Sequence, residues 1–451
     1  MRSPPAVEKL TTRLADAARS HWPLLSNAGS MLGTTVVTSL LGVVFWWLAA
    51  RDFSAASVGV AAAAVGAMTL LGFIATLGLG TLLMGELPRL DSGHRSLINA
   101  ALAITAMTGA ILGVLFAALA PLVTSNLEPL GESWISFVSF AIGVGLTALA
   151  FVLDQALIGL LHGGLQLRRN TVFALVKLVV LIPIAALVAN AGAAWIYSAW
   201  TAGIAVSLLA MTHFYRHRDG DPLRPNFAPL RDMRLSAASH HAFNLALQAP
   251  SLALPVLVVG LVSAAANASF YIAWMIAGLL VMVPVSLSTV LYPIGSRDPD
   301  RMTQGLKLSI SISLGFGLAA NLVLIPAATP ILSIFGASYA EQGASTLHIL
   351  ALGVFPLVFK TLYVTMRRVQ RRLGSALPVV WGGTLLELLG AVLGAQLVGG
   401  ITGIAWGWLI AVCLEGLMMG GDVVRAIRSP AQKPSPATPQ GDRPEESWIQ
   451  T

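Results

Sequence analysis

Five ionisable side chains fall inside stretches that are otherwise almost wholly apolar: Asp154, Lys177, Lys360, Glu387 and Glu415. A charge near mid-bilayer costs at least about 2.5 kcal/mol on insertion scales, so such a group normally faces protein or a water-filled cavity. Two kinds of chemistry follow. Lysines lining a cavity attract an anion, whereas Asp154, Glu387 or Glu415 would gate a pathway or couple it to a proton or cation. The structural alternatives are snorkelling of the long lysine stems to the interface and ion pairs between neighbouring helices, Asp154 with Lys177 and Lys360 with Glu387. The residue types alone leave these readings open.

Position narrows them. At 1.5 Å per residue, Lys177 lies about 12 Å along its helix from Arg169, and Lys360 about 10 Å from Arg367. Both lysines therefore sit nearer the basic end of their helices. Asp154 and Glu387 lie deeper, about 14 residues from the nearest basic connection, where their short stems cannot reach water. Asn244 and Gln248 add hydrogen-bonding groups to the stretch "HHAFNLALQAPSLALPVLVVG", which also holds Pro250 and Pro255. Prolines in a membrane helix are tolerated where neighbours or a cavity satisfy the freed backbone groups.

The elements that hold these residues are long apolar stretches. The chain is 56% hydrophobic and 10% charged, against roughly 25% charged in an ordinary soluble domain. A spanning helix needs about 20 apolar residues. Twelve candidates are legible, at 28–50, 56–84, 97–123, 134–161, 171–190, 193–214, 238–262, 266–293, 307–328, 344–366, 375–398 and 400–421. Apart from Arg51, Lys177 and Lys360, the 27 Lys and Arg lie in or beside every second connection and in the two terminal segments. Basic residues mark cytoplasmic loops, so both ends are expected in the cytoplasm and the protein in the cell's inner membrane.

This gives an all-α polytopic membrane protein with about twelve transmembrane helices in two six-helix lobes around a central cavity. The expected segments are an N-terminal arm (1–27), a first lobe (28–214), a charged inter-lobe loop (215–237), a second lobe (238–421) and a disordered Pro-rich tail (422–451). Residues 1–26 lack a cleavable signal, so the first span is expected to serve as one.

Several functions are excluded or left without support. The net charge of +7 is spread over short clusters beside spans, which is a topology signal and not a nucleic-acid surface. The single cysteine, Cys413, allows no disulfide within the chain and no paired-cysteine zinc motif. There is no GxxxxGK[ST] or HExxH and no large soluble domain, so neither enzyme chemistry, a metal nor a cofactor is expected.

Residues 27–90 carry Asn27, Ser30, Ala49–Ala50–Arg51, Phe53–Ser54, Val58–Gly59, Leu77–Gly78–Leu79–Gly80 and Arg89. Residues 263–297 carry Phe270–Tyr271, Pro284 and Tyr292–Pro293. This pattern resembles bacterial polysaccharide-biosynthesis (Wzx-like) flippases of the multidrug/oligosaccharidyl-lipid/polysaccharide exporter superfamily, MATE-like in fold. The resemblance implies alternating access for a polyprenyl-diphosphate-linked saccharide, moved from inner to outer leaflet. It implies a diphosphate held by Lys177 and Lys360, with Arg51 near the outer mouth and Asn244 and Gln248 in the cavity. Membrane lipids and a polysaccharide polymerase or other assembly protein would be its partners. The lipid II branch puts arginine within the first helix; none lies in this first span. Two alternatives stand beside it: a cation-coupled small-molecule or drug antiporter of the same superfamily, and a non-transporting scaffold of envelope assembly. In the scaffold the polar intramembrane groups would all be paired and dry.

Overall fold

The computed structural model describes residues 33–428, apart from 91, 189–190, 216–223, 233, 298 and 371. The arm 1–27 and residues 429–451 of the tail lie outside the described residues. All regular structure described is helical. The first seven elements are α1 (Gly33–Asp52), α2 (Ala55–Ala75), α3 (Leu79–Glu86), α4 (His94–Val123), α5 (Trp134–Gly159), α6 (Gly163–Leu187) and α7 (Ala193–Tyr215). After the short α8 (Ala228–Asp232) come α9 (Arg234–Leu261), α10 (Ala264–Arg297), α11 (Pro299–Ser333), α12 (Ala337–Leu352), α13 (Val354–Val369), α14 (Leu373–Leu397) and α15 (Gly400–Arg428). Among the described residues, eleven helices are long and apolar enough to cross a membrane, and α12 with α13, bent by 41°, makes a twelfth if the pair is one span. Rows of exposed Leu, Ile and Val along α4, α6, α11 and α15 fit a protein whose outer surface meets hydrocarbon.

Several boundaries differ from the sequence reading: α11 extends beyond the expected 307–328 at both ends, α8 and the start of α9 fall within the expected loop 215–237, and four further departures have a local reason. The expected continuous span 56–84 is broken, because Leu77 and Gly78 take φ of +50° and +77° between α2 and α3. The left-handed region is open to glycine but costly for leucine, so the break is a built feature. The expected span 171–190 begins at Gly163, which carries Arg168 and Arg169 into α6 and out of the loop. The tenth span begins at Ala337 and bends at Gly353. The last helix runs to Arg428, so residues 422–428 of the expected tail are helical, with Asp422 bonded to Arg367 at 2.6 Å and to Arg425 at 2.8 Å.

Helices α2–α7 pack chiefly on one another, as do α9–α15, and α2 and α3 meet α9 and α10 across the middle. One end of this seam is closed tightly. Asn267 donates to the Gly59 carbonyl at 2.7 Å, Asn126 to the Val259 carbonyl at 3.0 Å, and Trp47 to the Ile334 carbonyl at 3.0 Å. The rings of Trp46 and Tyr271 lie 4.7 Å apart. A methyl group on Gly59 would run into the backbone of Ala264. Within the second lobe, α14 and α15 pack backbone to backbone: a Cβ at Gly390 or Gly394 would strike Gly407 or Gly403. That close approach is the usual use of small residues four apart in membrane helices.

Candidate functional site

At the other end of the seam, where the Arg-rich connections lie, the helices stand apart. Two cavities share Leu247, Gln248 and Arg368 in their walls. One, of about 320 Å³, lies between the lobes, lined by Phe73, Thr76, Gly80 and Gln155 from the first and by His241 and Asn244 from the second. The α2–α3 break places Thr76 there, its hydroxyl bonded to the Phe73 carbonyl at 2.8 Å. The other, of about 490 Å³, runs into the second lobe among α9, α10, α13, α14 and α15. It reaches Trp274, Trp408, Lys360 and Glu387, and its walls carry the hydroxyl residues Ser251, Ser288, Thr289, Thr361 and Thr365. Both volumes are of the order found in small-molecule sites.

The deep end of the larger cavity holds the sharpest electrostatics. Lys360, on α13, pairs with Glu387 Oε1 of α14 and with Glu415 Oε2 of α15, the latter at 2.8 Å. Trp408 of α15 donates its indole N–H to Glu387 Oε2 at 2.7 Å. The three charged side chains are 8%, 4% and 2% exposed. Buried charges persist only when paired and hydrogen-bonded; fully ionised, these three sum to one negative charge. Two glycines make the arrangement possible. A Cβ on Gly383 would touch the Glu415 carboxyl at 2.6 Å, and one on Gly353 would press on the Trp408 ring. The bend between α12 and α13 therefore sits directly against the indole that orients Glu387.

The mouth is of opposite sign. Arg368 is exposed to both cavities, donates to Asn244 Oδ1 at 3.1 Å and lies 5.5 Å over the Phe243 ring. It pairs with no carboxylate among the described residues. Its neighbour Arg367 does, through Asp422. Gln248 is also exposed at the junction.

The structure puts Lys360, Glu387, Asn244 and Gln248 in the walls of these cavities, sets Glu415 behind them against Lys360, and scatters the remaining candidates. Lys177 is buried at 2% exposure, so it does not snorkel. It lines neither cavity; its Nζ lies 3.9, 4.7 and 5.1 Å from the ring centres of Trp200, Phe173 and Phe45. A desolvated cation over an aromatic face gains about 2 kcal/mol or more, so rings replace the expected carboxylate. Asp154 pairs instead with Arg169, bidentately at 2.8 and 2.7 Å, and accepts from Asn170 at 3.1 Å. The expected Asp154–Lys177 pair is thus corrected: placing Arg169 on α6 brings a fork-shaped donor to the carboxylate. Arg51 is exposed, 5.7 Å over Trp47 near the sealed end, and lines neither cavity.

Sequence reasoning missed Arg368, Arg169 and Trp408. Arg368 belongs to the Arg-rich connection that marks topology, and it stands eight residues after Lys360 on one helix, about 80° further round, so helix geometry alone does not place both on one cavity wall.

The MatE family model matches residues 241–393, roughly a third of the chain. No curated protein matches the chain at a significant level. The fold is similar to the inward-facing conformation of a multidrug resistance MATE family transporter of the MOP superfamily, with TM-score 0.68, 13% identity, and 87% of this chain and 96% of that one covered. The outward-facing conformation of a multidrug resistance MATE family transporter gives 0.59 at 15% identity over 90% and 96%. The lipid II flippase MurJ in an inward closed conformation gives 0.63 at 15% identity over 88% of each chain. The chain therefore shares the MATE/MOP transporter fold, with the two joined cavities at the Arg-rich end of the seam and the lobes sealed against each other at the other.

Proposed function

We propose that the chain exports a polyprenyl-diphosphate-linked saccharide, a precursor of a cell-envelope polysaccharide, from the inner to the outer leaflet of the cell's inner membrane. Alternating access of the two lobes would carry it. The observation behind this reading is the paired cavity at the Arg-rich end, with Arg368 exposed at its junction. By the basic-residue rule that end faces the cytoplasm, with both termini on the same side. An arginine fork matches phosphate oxygens. The hydroxyls and the Gln248 amide along the larger cavity suit sugar hydroxyls, and Trp274 offers a ring for a sugar face. The lipid tail would stay in the bilayer, and the product would pass to a polymerase or another assembly protein.

Lys177 has no part in holding the diphosphate, because its ammonium is enclosed by rings. Lys360 is held between two carboxylates and serves the deep site, not the phosphate. A scaffold with dry, fully paired polar groups is disfavoured by the cavity itself. A second reading, export of an organic cation, draws on the net negative Lys360–Glu387–Glu415 group beside Trp274 and Trp408, whose rings lie 4.9 Å apart. It also draws on the multidrug transporter among the structural neighbours.

Binding to the purified full chain separates the two. A polyprenyl-diphosphate disaccharide should bind, and R368Q should weaken it at least tenfold, as loss of a charge-assisted bond of about 1.5–3 kcal/mol requires. An aromatic phosphonium cation should bind poorly and be indifferent to R368Q. Tight binding of the cation, lost in E387Q, with no binding of the lipid, would favour the second reading.

A further inference from the structure

Glu415 is the least satisfied charged group in the described structure. It is 2% exposed, its Oε2 rests on Lys360 Nζ at 2.8 Å, and its Oε1 has no hydrogen-bond partner. Glu387, by contrast, uses one oxygen for Lys360 and the other for the Trp408 indole. Leaving a buried carboxylate oxygen without a donor is costly, and a proton on Oε1 removes that cost by discharging the group. Two charged groups face Glu415 from the elements around it: Lys360 on α13 and Glu387 on α14. The Glu415 carboxyl packs directly against Gly383, where any larger residue would displace it. Lys360 and Glu387 line the larger cavity, which gives a route from water at the Arg-rich end.

The same geometry is poor for a metal cation. Hard cations take a shell of several oxygen ligands. Here the space between the two carboxylates is filled by an ammonium tethered through the Lys360 stem. No group of three or more His, Cys, Asp or Glu able to hold a metal occurs among the described residues.

We propose that Glu415 carries the proton to which transport is coupled, and that Lys360 occupies the place a free cation would take, making the site indifferent to sodium. The inference rests on reading the chain as a transporter, but not on which substrate it carries. In the step itself a proton from cavity water binds Glu415 Oε1, no bond to carbon changes, and the group passes from one net negative charge to neutral. Lys360 is then held by Glu387 alone, so the tie between α13 and α15 loosens while that between α13 and α14 remains. Because α13 hangs from the Gly353 bend, protonation is linked to the angle of that helix.

The test needs no substrate, so its failure is distinct from failure of the saccharide reading. The full chain in lipid nanodiscs is titrated while infrared difference spectra follow the carbonyl stretch of a protonated carboxylic acid. In the wild type this band appears with a midpoint that is unchanged when sodium replaces an organic cation at equal ionic strength. E415Q loses the band, and E415D, which keeps a carboxyl, retains it and guards against a folding artefact. In K360Q the vacated place admits sodium, and the midpoint falls by about one pH unit per tenfold rise in sodium, as one-for-one competition requires. A band that survives in E415Q would overturn the assignment to Glu415. A wild-type midpoint that moves with sodium, or a K360Q midpoint that does not, would overturn the role of Lys360.

Discussion

The two intramembrane lysines have the same side chain and opposite surroundings, and that contrast decides what each does. Lys360 meets carboxylates from two helices, while Lys177 meets only rings. K177M gives up the cation–ring attraction but also removes the cost of a desolvated charge; the two offset, so it should leave the melting temperature and any transport activity within error of the wild type. K177E places a carboxylate against three aromatic faces and should lower the melting temperature sharply. R169Q strands Asp154, and breaking such a pair costs about 3–5 kcal/mol; thermal unfolding in detergent should show the loss, and D154N/R169Q should recover part of it. The Lys360–Glu387 pair was legible from sequence, since two opposite charges in neighbouring apolar spans have few other options. The choice between Lys177 and Arg169 as partner of Asp154 was not. It depends on whether α6 begins before or after Arg169, and the run "GGLQLRRN" is polar enough to read as a loop until packing makes it helix.

At the scale of elements, breaks and bends build the site. The α2–α3 break and the Gly353 bend both lie in helices whose hydropathy is uninterrupted, so an apolar-length criterion passes over them. Glycine marks each, but this chain has 43 glycines, and most serve close packing as in α14 and α15. What distinguishes Gly353 is the Trp408 ring against it, a contact between residues far apart in sequence. G353A should force the indole or the bend to move, costing about 1–3 kcal/mol, and should reduce transport more than a surface Gly→Ala such as G374A, for which a Cβ meets open space. Comparing melting temperatures and transport rates of the two variants checks this. G394L should be more damaging still to stability, because its side chain would pry α14 from α15.

At the scale of the whole molecule, charge alternation and span count were enough to place twelve spans, because both are one-dimensional properties of the chain. Which end was open was not legible, since it depends on the distance between lobes. The structure is closed by Gly59, Asn126 and Asn267 at one end and hollow around Arg368 at the other. A cysteine placed at Gln248 in a C413A background should therefore react with an impermeant maleimide added from the side bearing the Arg-rich connections, and little from the other. Transport itself is the most direct test of the account. A fluorescent polyprenyl-diphosphate saccharide, placed in proteoliposomes of the full chain, is followed from one leaflet to the other. Transfer by the wild type, equal transfer by K177M and a rate at least tenfold lower in R368Q are expected, in line with the loss of one charge-assisted bond of about 1.5–3 kcal/mol. No transfer by the wild type, or an R368Q variant as fast as the wild type, would contradict it.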